Sequence, residues 1–217
     1  VPVFFYKSVD HSVNSGINNM NSQMFMDFSS RQIKHLHVYA TVFADEFSFN
    51  RVFKKNEWNF MSWKAGFRLT DFPLSNTSLT FEFTYNYPLT YQHFVPTLTY
   101  ESNNYNLGHY LKDNSREWFI SFSWKPLRAF TAEIWYLNAV RGPDYNELGG
   151  SRIGNPPLSS IEWQDRNTGF RAEYQIINDL YTWLVLTAGN ISGDNRWSHP
   201  YFQGKKISIN AGFTFGF

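Results

Sequence analysis

The chain has 217 residues, a formal net charge of +1 and no cysteine. The balanced charge argues against nucleic acid as a partner, and the missing cysteine excludes disulfides, zinc–thiolate centres and thiol nucleophiles. Aromatic residues make up 20% of the chain although the mean hydropathy is −0.42, which is typical of strands with one apolar face joined by polar loops. No apolar run approaches the ~20 residues of a membrane-spanning helix, so we expect any membrane crossing to be made by strands.

Alternating apolar and polar residues predict nine β-strands. In chain order they are Met24 to Phe28, Leu36 to Ala44, Met61 to Leu69, Leu79 to Tyr87, Trp118 to Trp124, Phe130 to Tyr136, Phe170 to Ile176, Leu180 to Ala188, and Ile207 to Phe217. No linker-like stretch divides the chain, so we expect one domain over residues 1–217. The sequence therefore predicts an all-β fold, an antiparallel transmembrane β-barrel with about nine or ten strands in this chain.

The predicted connections alternate between short turns and long loops. The short ones read SRQIK, DFPLSNTS, WKPLR and INDL, and the long ones run from Asp45 to Asn59, Asn86 to Arg116, Asn138 to Asn167 and Asn190 to Lys206. This alternation is typical of bacterial outer-membrane barrels, in which turns face the periplasm and loops face outward. A soluble β-sandwich also has alternating strands, but it seldom carries so many Phe, Trp and Tyr on one face.

The strand count predicts how the barrel closes. Nine strands cannot close an antiparallel bacterial barrel, which needs an even number. Either the residues VPVFFYKSV add one strand or further strands lie upstream of residue 1. We favour upstream strands, and hence a larger barrel, because about ten strands leave little room for inner charged side chains.

The closing stretch, ISINAGFTFGF, places Phe213, Phe215 and Phe217 on one face of the ninth strand. This aromatic ending resembles the C-terminal signal by which the barrel-assembly machinery recognises outer-membrane proteins. It predicts an integral protein of the bacterial outer membrane, in contact with lipid and lipopolysaccharide.

The loop from Asn86 to Arg116 is the best candidate for a binding site. Its aromatic rings can stack on sugar faces, while its Asn and His side chains can form hydrogen bonds with hydroxyl groups. The alternative is that these residues only pack the loop over the barrel mouth. The predicted glycan-binding residues here are Tyr91, His93, Tyr100, Tyr105 and His109.

Asp45 and Glu46 form a second candidate, an adjacent carboxylate pair where a strand meets a long loop. They could bind a cation or a sugar hydroxyl, or simply form a solvated strand end. Neighbouring strand residues point to opposite faces, so they make a poor acid/base pair for glycoside hydrolysis. With no nucleophile elbow, nucleotide fingerprint or strong metal-ligand spacing, we expect no enzyme activity, metal or cofactor.

Three stretches together show a family resemblance: NNMNSQMFMDFSSRQIKHLHVYATVFADEFSF, FEFTYNYPLTYQHFVPTLTYESNNYNLGHYL, and FSWKPLRAF followed by YLNAVRGPDY. Their order and spacing resemble the capsule assembly protein Wzi family of outer-membrane barrels. The resemblance implies that this sequence is the C-terminal part of a larger barrel with a helical plug, and that it binds or organises surface polysaccharide. Two other functions remain open: a structural subunit that packs against other envelope proteins, and a porin-like diffusion channel.

Overall fold

The computed structural model describes residues 23–54, 57–93, 99–103, 105–144 and 156–216. The strands are β1 Met24–Ser30, β2 Leu36–Glu46, β3 Phe60–Thr70, β4 Thr77–Asn86, β5 Glu101–Ser102, β6 Tyr105–Asn106, β7 Ser115–Leu127, β8 Phe130–Arg141, β9 Trp163–Ile177, β10 Leu180–Gly193 and β11 Gly204–Phe215. All except the small β5–β6 hairpin belong to one nine-stranded antiparallel sheet, in which strands pair in chain order.

The described helices are short and lie in the long connections. They are α1 Phe49–Val52, between β2 and β3, and a 3-10 helix at Pro200–Phe202, between β10 and β11. None of the helices in the described part of the chain has the length and hydrophobicity that a membrane crossing requires.

All nine predicted strands are confirmed, but several are longer than predicted. Strand β8 continues to Arg141 and β9 starts at Trp163, which shortens the loop between them. Strand β7 continues past Pro126 to Leu127, and its register against β8 shifts between Trp124 and Leu127. Proline cannot donate a ladder hydrogen bond, so the strand passes it only with this irregularity.

One face of the sheet is apolar. A single row of directly opposed residues crosses eight neighbouring strands, and every member is aliphatic or aromatic: Leu36, Leu69, Leu79, Phe122, Ile134, Phe170, Leu186 and Ile209. The described residues supply no second large sheet to cover this face. Its large side chains are therefore exposed, with Ile134 at 51% and Ile209 at 71% of their full accessibility. A soluble β-sandwich would bury them.

The opposite face is polar, because successive strand residues point to opposite sides. One row across seven strands reads Asp27, Thr41, Lys64, Thr84, Glu117, Ala139 and Asp165. Ion pairs on this face join Lys64 Nζ to Glu82 Oε2 at 3.0 Å and Arg171 Nη2 to Glu173 Oε2 at 2.9 Å. The sheet thus separates an apolar face from a charged one.

The strands are staggered regularly. Leu36 is the first residue of β2, whereas Leu186, in the same row, lies six residues after Leu180, the first residue of β10. Six strand-to-strand steps separate β2 from β10, so the stagger is one residue per strand. A stagger of one residue per strand, with a rise of ~3.4 Å per residue and a strand spacing of ~4.8 Å, tilts the strands by about 35°. The tilt is measured from the direction perpendicular to the row in which the turns lie.

The two edge strands run in the same direction. Strands β1 and β11 are the first and ninth of an antiparallel sheet, and within the described ranges neither has a partner on its outer edge. They cannot pair with each other in the antiparallel manner that joins all the other strands.

Candidate functional site

The described parts of the connection from β4 to β7, residues 87–93, 99–103 and 105–114, fold back onto the polar face of the sheet. Asn86, the last residue of β4, is fully buried at its base. Its Oδ1 accepts hydrogen bonds from Tyr91 Oη at 3.0 Å and from Ser62 Oγ at 2.5 Å, and its Nδ2 donates to Ser115 Oγ at 2.7 Å. A single amide therefore ties the loop to β3 and β7.

The far end of the same loop is held by Asp113, whose carboxylate is buried. Its Oδ1 accepts a hydrogen bond from the Tyr91 backbone N–H at 2.9 Å. Burial raises the pKa of Asp113 to about 7, although this hydrogen bond and the positive charge of Arg141 oppose the rise. Arg141 Nη1 also donates to the carbonyl oxygen of Leu111 at 2.7 Å. The position of Tyr91 is thus fixed from both ends of the loop.

Between the loop and the sheet lies a cavity of about 180 Å³, which we call the loop cavity. Its lining residues are Phe25, Thr41, Phe43, Ser62, Lys64, Thr84, Tyr91, Tyr100, Leu107, Gly108 and His109. One wall is aromatic: the centroid of the Phe43 ring lies 4.9 Å from that of Phe25, 5.4 Å from Tyr91 and 5.0 Å from Tyr100.

The other wall of the loop cavity is formed by Gly108 and His109. A Cβ at Gly108 would collide with the ring of Tyr91, so the loop can pass this close only with glycine. Burial holds the pKa of His109 down to about 4, and the nearby positive charge of Lys64 acts in the same direction. The imidazole is therefore neutral near pH 7. Its Nδ1 accepts a hydrogen bond from the Leu111 backbone N–H at 3.4 Å, so Nε2–H is the group left to donate to a ligand.

The sheet contributes Thr41, Ser62, Lys64 and Thr84 to the floor of the loop cavity. Three of these side chains already have partners: Thr41 Oγ1 donates to Asp27, Ser62 Oγ donates to Asn86, and Lys64 Nζ pairs with Glu82. The lining as a whole is mostly apolar and aromatic, which suits the apolar face of a small ligand such as a sugar ring. Because the aromatic rings contact one another, they also help to hold the loop in place.

The structure brings together three of the predicted glycan-binding residues, Tyr91, Tyr100 and His109, in the loop cavity. Tyr105 lies on β6 with 77% of its surface exposed, outside the cavity. His93 is also outside the lining, and its backbone N–H donates to Thr99 Oγ1 at 3.4 Å.

The other predicted residues lie elsewhere. Asp45 is buried at the end of β2, outside the cavity lining, and its Oδ1 accepts a hydrogen bond from Gln23 Nε2 at 3.2 Å. The side chain of Glu46 lies outside the described residues. Phe213 and Phe215 are exposed on β11, and Phe217 falls outside the described ranges.

Sequence reasoning missed Phe25 and Phe43, which line the cavity. A signal for them exists, since both are large aromatics on the polar face of β1 and β2, where the alternation expects a polar residue. A large aromatic residue on the polar face indicates that another part of the chain packs against it. Asn86 and Asp113 carry no comparable signal, because their buried hydrogen bonds depend on how the loop folds.

No protein-family model matches the chain, and no curated protein matches its sequence significantly. The resemblance to the capsule assembly protein Wzi family therefore stays a prediction that rests on the three quoted stretches. Within the described ranges, no group of three or more His, Asp or Glu residues is placed to hold a metal ion.

Proposed function

We propose that the chain forms part of a bacterial outer-membrane β-barrel and binds surface polysaccharide in the loop cavity. The observation that carries the proposal is the uncovered apolar row that crosses eight strands from Leu36 to Ile209. An apolar surface of this extent is unfavourable in water, whereas lipid tails would cover it at no cost.

The dimensions of the strands support the membrane assignment. A transmembrane strand needs ~9–11 residues when it is tilted, and the eight strands after β1 that form the sheet have between 10 and 15 residues. The lean of about 35° derived from the strand stagger lies at the edge of the range for closed barrels, ~35–45°. A closed antiparallel ring would need an odd number of further strands between β1 and β11.

The distribution of cations on the apolar face supports an orientation. Arg166 of β9 and Lys205 of β11 flank Asn190 of β10 in one row, next to the long loops. From the following row, which contains Ile207, down to the turns, the apolar face of these three strands has no charged residue. Cations at the loop end can contact the phosphate groups of outer-leaflet lipopolysaccharide, with the loops outside the cell.

Two features favour polysaccharide binding over the porin-like channel. The described parts of the loop between β4 and β7 fold onto the polar face of the neighbouring strands, and hydrogen bonds from Tyr91 to Asn86 and Asp113 hold them there. The charges on that face are paired across short distances, as in Lys64–Glu82, whereas a selective pore would segregate them.

The membrane assignment is tested with two arginine substitutions on neighbouring residues of β7. Phe122→Arg puts a charge on the apolar face, and Ser123→Arg puts the same charge on the polar face. We expect Phe122→Arg to lower the fraction of protein recovered as a folded, detergent-extractable membrane protein, since a lipid-facing arginine costs about 2–4 kcal/mol at mid-membrane. Ser123→Arg should insert normally. Equal recovery of both variants, or a water-soluble wild type, would exclude the lipid face.

Polysaccharide binding is tested by retention of the host's purified surface polysaccharide on the immobilised protein. We expect Tyr100→Ala to abolish retention because it removes an aromatic wall of the loop cavity. Tyr105→Ala is the matched control, since this tyrosine belongs to the same loop but lies outside the cavity. Retention that survives Tyr100→Ala, or is never observed with the wild type, contradicts the proposal.

A further inference from the structure

A second cavity, of about 320 Å³, lies at the opposite end of the sheet, beside the turn between β1 and β2. We call it the turn cavity. Its lining residues are Arg31, Ile33, Lys34, His35, Leu36, His37, Arg68 and Thr70. Three of them are cations and two are histidines, and none of the described residues that line it carries a carboxylate.

The backbone conformation and hydrogen bonds of the turn define the shape of the turn cavity. His35 has a left-handed φ of 68°, which reverses the chain. Its carbonyl oxygen accepts a hydrogen bond from Thr70 N at 2.8 Å, so the turn is fastened to the end of β3. His37 Nε2 lies 2.9 Å from Ser29 Oγ, which orients the imidazole across the β1–β2 pair.

Only one of the three guanidinium nitrogens of Arg68 forms a hydrogen bond with a described residue. Its Nε donates to Thr80 Oγ1 at 3.2 Å, and its two terminal nitrogens form no hydrogen bond with the described residues. The nearby carboxylate of Glu82 is already engaged by Lys64 Nζ at 3.0 Å and by Tyr39 Oη at 2.5 Å. The forked end of Arg68 is therefore available to another acceptor.

Arg31 and Lys34 add two positive charges from the turn itself. Neither forms an ion pair with any residue in the described ranges, in contrast to Lys64 and Arg171 on the same sheet. Three cations around one cavity repel each other unless an anion lies between them. The planar fork of arginine matches the oxygens of a phosphate group in a bidentate arrangement.

We propose that the turn cavity binds the phosphate group of a soluble phosphorylated molecule. Two phosphate sources are conceivable, a solute and a lipid headgroup, and the geometry favours the solute. His37 and Arg68 lie on the polar face of β2 and β3. Leu36 also lines the cavity, although it lies on the apolar face. A lipid that covers the apolar face would still be on the opposite side of the sheet from the Arg68 guanidinium.

The test is a calorimetric titration of the purified full chain, in zwitterionic detergent, with pyrophosphate as the probe. We expect saturable binding that weakens as salt is added, because screening reduces the attraction. Arg68→Gln and Arg31→Gln should each weaken binding about tenfold, the size expected for a lost charge-assisted hydrogen bond. Arg128→Gln is the control, since Arg128 is an exposed arginine in the turn between β7 and β8, outside the cavity.

Three results would overturn the proposal: no saturable binding, equal affinity in all variants, or an equal loss in the Arg128→Gln control. Repeating the titration with phosphatidylglycerol in the micelles separates the two phosphate sources. Competition by this lipid would assign the cavity to a headgroup and reject the solute. Arg31 lies in the exposed turn, so its variant decides the question even if Arg68→Gln fails to fold. Neither outcome depends on polysaccharide binding in the loop cavity.

Discussion

The indole ring of Trp183 fills the space that a side chain at Gly212 would occupy, directly opposite it in the β10–β11 pair. The same relationship recurs twice on the polar face, between Tyr39 and Gly66 in the β2–β3 pair and between Trp135 and Gly169 in the β8–β9 pair. In each case a large ring covers the backbone of a glycine on the next strand. In each pair the ring supplies packing contacts at a position where glycine has no side chain of its own.

We predict that Gly212→Ala destabilises the protein by about 1–3 kcal/mol, because the new Cβ would lie 2.8 Å from Cζ2 of Trp183 and force the ring to move. The measurement is urea-induced unfolding of the purified protein. Gly189→Ala is the matched control on the neighbouring strand, where the nearest atom to a new Cβ is Asn167 Nδ2 at 3.5 Å. Equal destabilisation by both substitutions would show that the ring contact is not the cause.

The fastening of the loop at Asn86 leads to a second prediction. Asn86→Ala leaves the buried hydroxyls of Ser62, Ser115 and Tyr91 without their shared partner, at a cost of about 1–3 kcal/mol. We expect trypsin to cut faster at Lys112, an exposed residue of this loop. Tyr91→Phe removes only one of the three hydrogen bonds and should have a smaller effect. Unchanged cleavage of the Asn86 variant would mean that the loop is held by other contacts.

The buried carboxyl of Asp113 predicts a pH dependence of stability. Its pKa is about 7 in the folded protein against 3.8 for the exposed group, so between these values the folded state holds a proton that the unfolded state has released. Its contribution is therefore complete below about pH 4 and is lost as the pH rises through 7, by about 1.4 kcal/mol per pH unit within the window.

The check is a series of unfolding titrations from pH 4 to pH 8 on the wild type and on Asp113→Asn. The amide keeps an acceptor for the Tyr91 N–H but cannot titrate, so the difference in unfolding free energy between the two proteins should change across the window and level off above it. A difference that stays constant from pH 4 to pH 8 would contradict the assignment.

Arg141 predicts an energetic link between two loops. Its guanidinium carbon lies 3.6 Å from the ring centroid of Trp197, in the β10–β11 connection, while its Nη1 donates to Leu111 in the β4–β7 connection. A double-mutant cycle with Arg141→Lys and Trp197→Leu should give a coupling energy of about 1–2 kcal/mol. The guanidinium carbon of Arg196 is 5.5 Å from the same ring, so the corresponding cycle with Arg196→Lys should give less. Independent effects of Arg141 and Trp197 would refute the link.

Much of the fold could be predicted because strand alternation is a local property. The alternation of residues from Leu79 to Tyr87 predicts a strand and its two faces without information from the rest of the chain. Strand β4 lies there. The extension of β7 past Pro126 could not be predicted in this way, since it depends on pairing with β8.

The candidate site was predicted only in part, for a similar reason. The aromatic composition of the loop predicts a binding site that includes Tyr91, Tyr100 and His109. It predicts Tyr105 equally, but this residue is exposed and lies outside the loop cavity. Only the folded path of the loop separates these cases. The contact of Tyr91 with Asn86 and Asp113 joins side chains of opposite loop ends, and no spacing rule anticipates it.

The common direction of β1 and β11 has a consequence for how such a sheet could evolve. Duplication or loss of a hairpin changes the strand number by two, so it leaves the relative direction of the two edges unchanged. No series of hairpin duplications within this sheet would let the edges join as antiparallel neighbours. A closed barrel built from this sheet would need one additional strand that is not part of a hairpin. That strand would lie between the two edges of the sheet.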